Sequence, residues 1–403
     1  MAIAIVPMLA LVGGTVDVYR LQDERSKLQS AADSAVLAAI AKASLSLTTS
    51  QASSTADKVF RSQLSTTQLK SLISATPTVD DDTTNRNVTY TFKAAIPTLF
   101  LNIVGISTLE TDGTSSATVA LPVYMDFYLL LDNTPSMGVA ATTTDIAKMV
   151  ANTSDQCAFA CHDMSTTPND YYGLAKKLGV TMRIDVVRSA TQQLMDTATA
   201  TQAVANQFRM AIYTFGSSAT ATGLTTISNL TSNLSGAKTA AAAIDLMTTP
   251  YQNYNSDMDT DFDHVLASVN TAIPTPGSGI NASATPQKVL FFVSDGVADA
   301  NYPTTCSQTP YAGYRCEEPL TVATCTAIKN RGIKIAVLYT SYLPLPTNSW
   351  YNSQIAPFAA QIPTNMKACA SPGLYFEVTP TDGIPEAMTA LFTKAVQTAR
   401  LTR

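Results

Sequence analysis

The sequence predicts an α/β protein in three parts: an N-terminal transmembrane helix over residues 1–20, a small α+β stalk over residues 21–122, and a doubly wound, mostly parallel-sheet domain over residues 123–403. Three observations predict this fold class. The chain opens on an apolar run. A Thr-rich stretch near residue 90 alternates apolar and polar side chains, as a half-buried strand does. From about Val123, apolar strand-like runs alternate with segments of helical spacing, which is typical of a doubly wound sheet.

The N-terminal run, Ala2–Val16, is almost wholly apolar but shorter than the roughly 20 residues that a bilayer span needs. It continues into a stretch rich in Ala, Leu, Gln and Lys, which are good helix formers. We therefore expect an uncleaved membrane anchor that passes directly into an exposed helix, with a few cytoplasmic residues before Met1. The alternative is the buried N-terminal helix of a soluble protein.

The stalk shows one helical and three further local patterns. Ser53–Leu64 has helical character, and Asn87–Pro97 alternates as a strand with Val88, Tyr90 and Phe92 on one face. Thr98–Ile106 predicts a short helix or turn, and Thr114–Pro122 predicts another strand. We expect a long helix packed on a small antiparallel sheet.

Composition excludes several classes of function. The net charge is −5, and no basic run offers a surface for nucleic acid. The chain has two His residues and lacks a G-x-S-x-G elbow, a phosphate-binding Gly loop and an H-E-x-x-H pair. We therefore expect a protein that is not an enzyme.

The stretch Phe127–Gly138 carries the strongest candidate site. An apolar run typical of a strand buried on both faces ends abruptly at Asp132, and Thr134 and Ser136 follow at every second position. Carboxylate and hydroxyl oxygens suit Mg²⁺, Mn²⁺ or Ca²⁺. These residue types are also common in ordinary turns, so the pattern alone is weak.

Two later segments strengthen the metal hypothesis. A second buried-strand pattern from Lys288 ends at Asp295, and Thr260 lies in a polar loop before an amphipathic helix. This order resembles the metal-ion-dependent adhesion site of von Willebrand factor A (vWA) domains. The resemblance implies a Rossmann-like domain in which one divalent ion is held by Asp132, Thr134, Ser136, Thr260 and Asp295. Thr134 departs from the Ser that is usual in the family, and the alternative is a degenerate domain that has lost the ion.

The N-terminal region resembles the TadG-like and TadE-like pseudopilins of the Tad (Flp) pilus machinery. The resemblance rests on a V-D-x-x-R turn and a Q-x-A-A-D pattern, formed by Val16, Asp17, Arg20, Gln29, Ala31, Ala32 and Asp33. It implies a pilin-like stalk and a pilus assembly or adhesion protein of the bacterial cell envelope, anchored in the inner membrane with its bulk periplasmic or extracellular. The implied partners are other pilus components or a surface ligand.

Two other functions stay open. In one, the protein is a structural pseudopilin scaffold in which the metal only stabilises loops. In the other, it is a cytoplasmic A-domain partner of a ring ATPase. The predicted anchor and the Cys content argue against the second.

The six Cys residues are compatible with three disulfides in an oxidising compartment. Cys157 and Cys161 favour a local bridge, although haem and zinc are alternatives because His162 follows. Cys306 and Cys316 bracket a loop with Pro310 and Gly313. By elimination Cys325 pairs with Cys369.

Three long connections, 139–181, 296–318 and 341–357, follow predicted strands and carry aromatic residues. Loops that follow parallel strands emerge at one edge of a sheet, which is also the metal's edge. We expect a partner-binding rim that includes Tyr311, Tyr314, Trp350 and Tyr351. The alternative is that these aromatic residues pack onto their own domain.

Overall fold

A computed structural model of the protein describes residues 2–82, 84–158, 162–165, 170–251, 253–280, 285–341, 349–379 and 383–401. The chain divides into two compact units. The first holds Met1–Pro122 with Ala203–Ala205, and the second holds Val123–Gln202 and Asn206–Thr402.

The first unit combines helices with an antiparallel sheet in the order β1-β2-β3. Its elements are α1 (Ala2–Ile40), α2 (Thr49–Ser62), α3 (Thr66–Ser71), β1 (Leu72–Asp81), β2 (Asn85–Pro97) and β3 (Thr108–Ala120). A short 3₁₀ helix, Leu101–Val104, lies between β2 and β3. The predicted strand around Tyr90, the short helix or turn after Pro97 and the helix containing Phe60 are thus confirmed.

The core of the first unit follows from the spacing of small residues on α1. Ala31, Ala32 and Ala35 are buried and recur at helical spacing, so the helix backbone lies close to the sheet. Tyr90 and Phe92 from β2 pack in the same core. The alternation on β2 therefore gives one buried face.

The V-D-x-x-R turn of α1 fixes the connection between β2 and β3. The carboxylate of Asp17 accepts hydrogen bonds from the backbone N–H groups of Leu99, Phe100 and Leu101 at 2.8, 2.8 and 2.9 Å. Arg20 lies 3.5 Å from the same carboxylate. Burial raises the pKa of Asp17, but the backbone donors and Arg20 lower that pKa by more, so it lies below its ordinary value. Asp17 is therefore held as an anion that ties the connection to α1.

The second unit is built on an eight-stranded sheet with the order β13-β12-β9-β4-β6-β8-β5, and β7 pairs with β6. Its strands are β4 (Met125–Leu131), β5 (His162–Asp163), β6 (Phe208–Ser218), β7 (Ala221–Thr231), β8 (Thr248–Thr249), β9 (Gln287–Ser294), β12 (Lys334–Thr340) and β13 (Tyr375–Val378). Strands β10 (Val297–Asn301) and β11 (Arg315–Pro319) form a separate antiparallel hairpin. In the large sheet β7 runs antiparallel, while the other pairs are parallel.

Helices cover both faces of the large sheet. The helices of this unit are α4 (Thr143–Asn152), α5 (Tyr171–Leu178), α6 (Arg183–Thr201), α7 (Leu234–Ala241), α8 (Phe262–Ala272), α9 (Val322–Asn330), α10 (Gln361–Cys369) and α11 (Ile384–Leu401). Strand β4 is buried along its whole length. Phe127 and Leu129 pack with α6, α7 and α11, whereas Tyr128 and Leu130 pack with α8, α9 and α10. This two-sided burial is why the strand has a continuous apolar sequence.

The structure corrects the predicted fold class in two respects. Within the described residues, no helix is long and apolar enough to cross a membrane, so the predicted transmembrane helix over residues 1–20 is wrong. The apolar run stops at Asp17, before it reaches the length of a bilayer span. The sheets are also not those of a doubly wound, mostly parallel chain: two of the three are wholly antiparallel and the largest is mixed. The chain is a mixed α/β protein.

Candidate metal-binding site

The turn after β4 brings together the first three predicted ligands. The N–H of Asp132 donates to the carbonyl of Val293 on β9 at 2.9 Å, so the acid begins where the strand pairing ends. Asp132 Oδ1 accepts from the N–H and the hydroxyl of Thr134 at 3.0 and 2.7 Å. The hydroxyl oxygens of Thr134 and Ser136 are 3.3 Å apart. Asp132 and Thr134 are fully buried, and Ser136 is half-buried.

Asp295 reaches the same region because β9 lies beside β4 in a parallel register. Leu131 pairs with Val293, so both strands end at the same level. The hydroxyl of Ser294 donates to Asp132 Oδ2 at 2.6 Å. Asp295 follows at once, is fully buried, and accepts from the N–H of Val297 at 3.3 Å. The two acids therefore stand at the carboxyl ends of neighbouring parallel strands.

Thr260 lies beside the segment that leaves Asp295. Its N–H donates to the carbonyl of Asp299 at 2.9 Å, and the N–H of Asp299 donates back to its carbonyl at 3.0 Å. Asp299 belongs to β10, which begins directly after Gly296. Thr260 is 4% exposed and precedes α8, as the sequence predicted for its loop. This pairing holds the Thr260 loop against β10, the strand that follows Asp295.

Asn133 and Ser294 are contributors that the sequence analysis missed. The side-chain amide of Asn133 donates to the carbonyl of Gly216 at 2.8 Å, and its carbonyl accepts from the N–H of Phe215 at 3.0 Å. These bonds fix the turn after β4 to β6. Ser294 orients Asp132, as described above. The partners of both residues lie more than 80 positions away in the sequence, so no local motif predicts these hydrogen bonds.

The electrostatics of the two acids favour a cation. Burial raises the pKa of Asp295, and the charge of Asp132 raises it further, to about 7. Burial also raises the pKa of Asp132. The Arg183 guanidinium lies 3.8 Å from Asp295 Oδ2 and opposes both shifts. The buried carboxylates of Asp132 and Asp295, at the ends of neighbouring strands, therefore repel each other. A positive charge between them would stabilise both.

The donor set fits a hard divalent ion. Asp295 Oδ2 is buried and accepts no hydrogen bond from the residues that the structure describes. The Arg183 guanidinium, 3.8 Å away, partly offsets the charge of this oxygen but does not donate to it, and such an oxygen stays costly unless a proton or a cation reaches bonding distance. Carboxylate and hydroxyl oxygens are the ligand types that Mg²⁺, Mn²⁺ and Ca²⁺ prefer. Asp132, Thr134, Ser136 and Asp295 are the side chains that would hold the ion, with Thr260 on the adjoining segment.

A second group of possible ligands does not fit a metal. In the described part of the chain, ligand atoms of Cys306, Cys316 and Glu318 lie mutually within 4.8 Å. The two sulfurs are joined to each other, so they cannot bind an ion as thiolates.

Two of the three predicted disulfides are confirmed. Cys306–Cys316 closes the loop of the hairpin formed by β10 and β11, and Cys325–Cys369 joins α9 to the end of α10. The third prediction paired Cys157 with Cys161, and Cys161 lies outside the described residues. The hairpin bridge restrains the loop that carries Tyr311 and Tyr314.

The aromatic residues of the predicted rim divide into exposed and packed members. Tyr311 and Tyr314 are 49% and 40% exposed. Trp350 is half-buried, donates its indole N–H to Glu317 at 2.6 Å and lies against the Tyr311 ring with centroids 4.8 Å apart. Tyr351 packs against the core of its unit. Tyr311 and Tyr314 are therefore exposed, and the Tyr311 ring packs against a tryptophan that a hydrogen bond holds in place.

The long connections are more structured than the sequence analysis expected. The segment 139–181 contains α4, β5 and α5, and Tyr172 within it is fully buried. The segment 296–318 contains the β10–β11 hairpin. In the third connection, residues 342–348 lie outside the described part of the chain, and a π-helix over Tyr351–Ile355 follows.

A family comparison matches the N-terminal region. Residues 1–44 match the family described as "Putative Flp pilus-assembly TadE/G-like". The matched stretch includes Asp17, Arg20 and Gln29, whose hydrogen bonds hold α1 to the rest of its unit. The match supports a pilus-related function. No curated protein sequence matches the chain.

Solved structures with similar chains come from pilus proteins. The pilus adhesin SpaC from Lactobacillus rhamnosus GG is 12% identical with a TM-score of 0.38, over 81% of this chain and 34% of that chain. The vWF domain of the type V pili tip protein Mfa5 from Porphyromonas gingivalis is 13% identical with a TM-score of 0.36, over 70% of this chain and 97% of that one. The adhesive tip pilin GBS104 from Group B Streptococcus agalactiae is 12% identical with a TM-score of 0.38, over 80% of this chain and 68% of that chain. This chain thus spans about a third of SpaC, and similarity at these scores assigns it no activity.

Proposed function

We propose that this protein is a pilus-associated adhesion or assembly protein of the bacterial cell envelope. In this proposal it binds a protein partner through a divalent cation, Mg²⁺ or alternatively Mn²⁺ or Ca²⁺, in a site of the vWA adhesion type. The observation that carries the proposal is the fully buried Asp295, with one oxygen that lacks a hydrogen-bond donor in the described residues, beside Asp132 at the ends of two neighbouring strands. The TadE/G-like match of residues 1–44 supports the pilus context.

In this proposal each residue has a defined part. Asp132 and Asp295 supply the negative charge, and the hydroxyls of Thr134 and Ser136 supply neutral oxygens. Ser294 and Asn133 hold the turn in position before the ion arrives. When bound, the ion would supply a positive charge that attracts a carboxylate of the partner. We propose a binding function rather than a catalytic one.

The exposed tyrosines Tyr311 and Tyr314 form a surface that a protein partner could contact. Tyr311 and Tyr314 lie on the loop that the Cys306–Cys316 disulfide closes. A restrained loop loses less conformational entropy on binding, and aromatic residues are favoured in the centre of protein interfaces. Tyr314 also makes a 3.0 Å hydrogen bond with Ser256 on the acidic segment before Thr260. We propose that these tyrosines contact the partner beside the ion.

The test compares attachment of cells that carry the wild-type protein, Asp132→Ala, Tyr314→Ala or Asp196→Ala, with Mg²⁺ or with a chelator. Asp196 is a matched control, because its side chain is 60% exposed on α6 and pairs with Lys238. We expect Asp132→Ala and chelation to abolish attachment, Tyr314→Ala to weaken it, and the control to be normal.

The alternative is the scaffold in which the ion only stabilises loops. In that case Asp132→Ala would lose the stabilisation by Mg²⁺ in thermal unfolding but would keep attachment and pilus assembly. Such a result would refute the proposed partner binding and leave the metal site intact.

A further inference from the structure

A cluster of charged side chains next to Thr260 has no part in the site described above. Arg315 on β11 supplies the guanidinium of this cluster. It lies 2.5 Å from Asp299, 3.0 Å from Glu317 and 3.9 Å from Asp257. Asp259 feels the charges of Asp257 and Arg315. We call these five residues the Arg315 cluster. Three of the carboxylates lie within 3.9 Å of the guanidinium and Asp259 is close enough to feel its charge, so three negative charges are uncompensated when all four acids are ionised.

In the described part of the chain, Asp259 lacks a hydrogen-bond donor on both carboxylate oxygens, whereas Glu317 lacks one on Oε2 only. Asp259 is 2% exposed. The guanidinium of Arg315 is already engaged by Asp299 and Glu317. A buried carboxylate without a donor is unfavourable by several kcal/mol in general, and buried charges are normally paired or bound to a metal. The missing partner is therefore a proton or a cation small enough to enter a buried space.

We propose that the Arg315 cluster binds a second hard divalent cation, with Asp259 and Asp257 as its side-chain ligands. Calcium is the ion that fits, because it accepts irregular sets of oxygen ligands and completes its shell with backbone carbonyls and water. Asp261 on the same segment has another part, because its Oδ1 accepts from the N–H of His264 at the start of α8 and from the hydroxyl of Tyr302.

The second ion would organise the loop that carries Thr260. Asp259 precedes Thr260 directly, and Thr260 pairs with Asp299 on β10. Fixing Asp257 and Asp259 would therefore hold the Thr260 loop against the β10–β11 hairpin. This site stands on its own residues and does not depend on the function proposed above.

The experiment titrates the full-length protein with CaCl₂ by calorimetry and follows thermal unfolding with and without Ca²⁺. Asp259→Asn keeps the shape and removes the charge, and Asp196→Asn is the matched control. We expect wild type and control to bind Ca²⁺ with a rise in melting temperature. Once Asp132→Ala has removed the first site, which could also take Ca²⁺, adding Asp259→Asn should weaken calcium binding at least tenfold and abolish the rise.

A third variant, Asp132→Ala, separates this proposal from the first site, and we expect it to keep the calcium-dependent rise. Undiminished calcium binding when Asp259→Asn is added to Asp132→Ala, no calcium response in the wild type, or loss of the response in Asp132→Ala alone would each overturn the proposal. If Asp259→Asn does not fold, Asp257→Asn replaces it, since that side chain is 35% exposed and therefore less buried than Asp259. The same loss of calcium binding is expected there.

Discussion

Replacing Arg183 with Met removes the positive charge that faces the two acids of the candidate site. Arg183 is the first residue of α6 and is 1% exposed, and its Nη1 lies 3.8 Å from Asp295 Oδ2. Two unit charges at that separation attract by about 4 kcal/mol at an effective dielectric constant of about 20. Removing one partner of a buried ion pair costs roughly 3–5 kcal/mol. We therefore expect Arg183→Met to lower the free energy of unfolding of the metal-free protein by up to about 4 kcal/mol, measured above pH 7 so that Asp295 is ionised in the wild type.

The assay is urea unfolding in a chelator, followed by the fluorescence of Trp350. Trp350 is the single tryptophan of the chain and lies in the second unit, so the signal reports on the unit that holds the site. A double-mutant cycle with Asp295→Asn isolates the pair. We expect a coupling free energy of about 4 kcal/mol by the same Coulomb estimate.

Magnesium extends the test to the site itself. A bound cation would neutralise Asp132 and Asp295, so saturating Mg²⁺ should offset most of the loss caused by Arg183→Met. Without the guanidinium the acids should also bind Mg²⁺ at least tenfold more tightly. A coupling below about 1 kcal/mol, the range of an exposed pair, would refute the reasoning that Arg183 is the counter-ion of Asp295.

Two further predictions concern parts of the fold outside the candidate site. Replacing both cysteines of the Cys325–Cys369 disulfide with Ala should lower the free energy of unfolding by about 4 kcal/mol, against about 3 kcal/mol for the Cys306–Cys316 disulfide, because the bridged residues are 44 and 10 positions apart. Urea unfolding measures both, and an equal or larger loss for the shorter loop would contradict the chain-entropy account. Asp17→Asn should abolish the hydrogen-exchange protection of the Leu99–Leu101 amides, which donate to this carboxylate. Asp23→Asn is the control, with its side chain 50% exposed, and unchanged protection in Asp17→Asn would show that the clamp does not hold the connection.

The elements around the candidate site could be predicted because their sequence signals are local. Strands β4 and β9 are buried on both faces and therefore read as apolar runs, each ending at an acid. The parallel register then places Asp132 and Asp295 at the same edge of the sheet. The alternation on β2 was equally informative, because one face of that strand is buried.

The features that could not be predicted depend on contacts between distant segments. Arg183 begins a helix with an amphipathic pattern, where a charged residue suggests an exposed position, yet it is buried against Asp295, 112 residues later in the chain. Tyr172 was assigned to a loop, but α5 buries its ring completely. The transmembrane prediction failed because a run of apolar residues was accepted although Asp17 ends it too early. Asp17 instead serves the turn between β2 and β3.

Calorimetric titration of the wild-type protein and Asp132→Ala with MgCl₂ tests the central claim most directly. The account predicts that the wild type binds one Mg²⁺ at the site formed by Asp132 and Asp295. It predicts that Asp132→Ala loses this binding while its far-ultraviolet circular dichroism and Trp350 fluorescence stay those of the folded protein. Wild-type Mg²⁺ affinity in Asp132→Ala would contradict the assignment of the metal site.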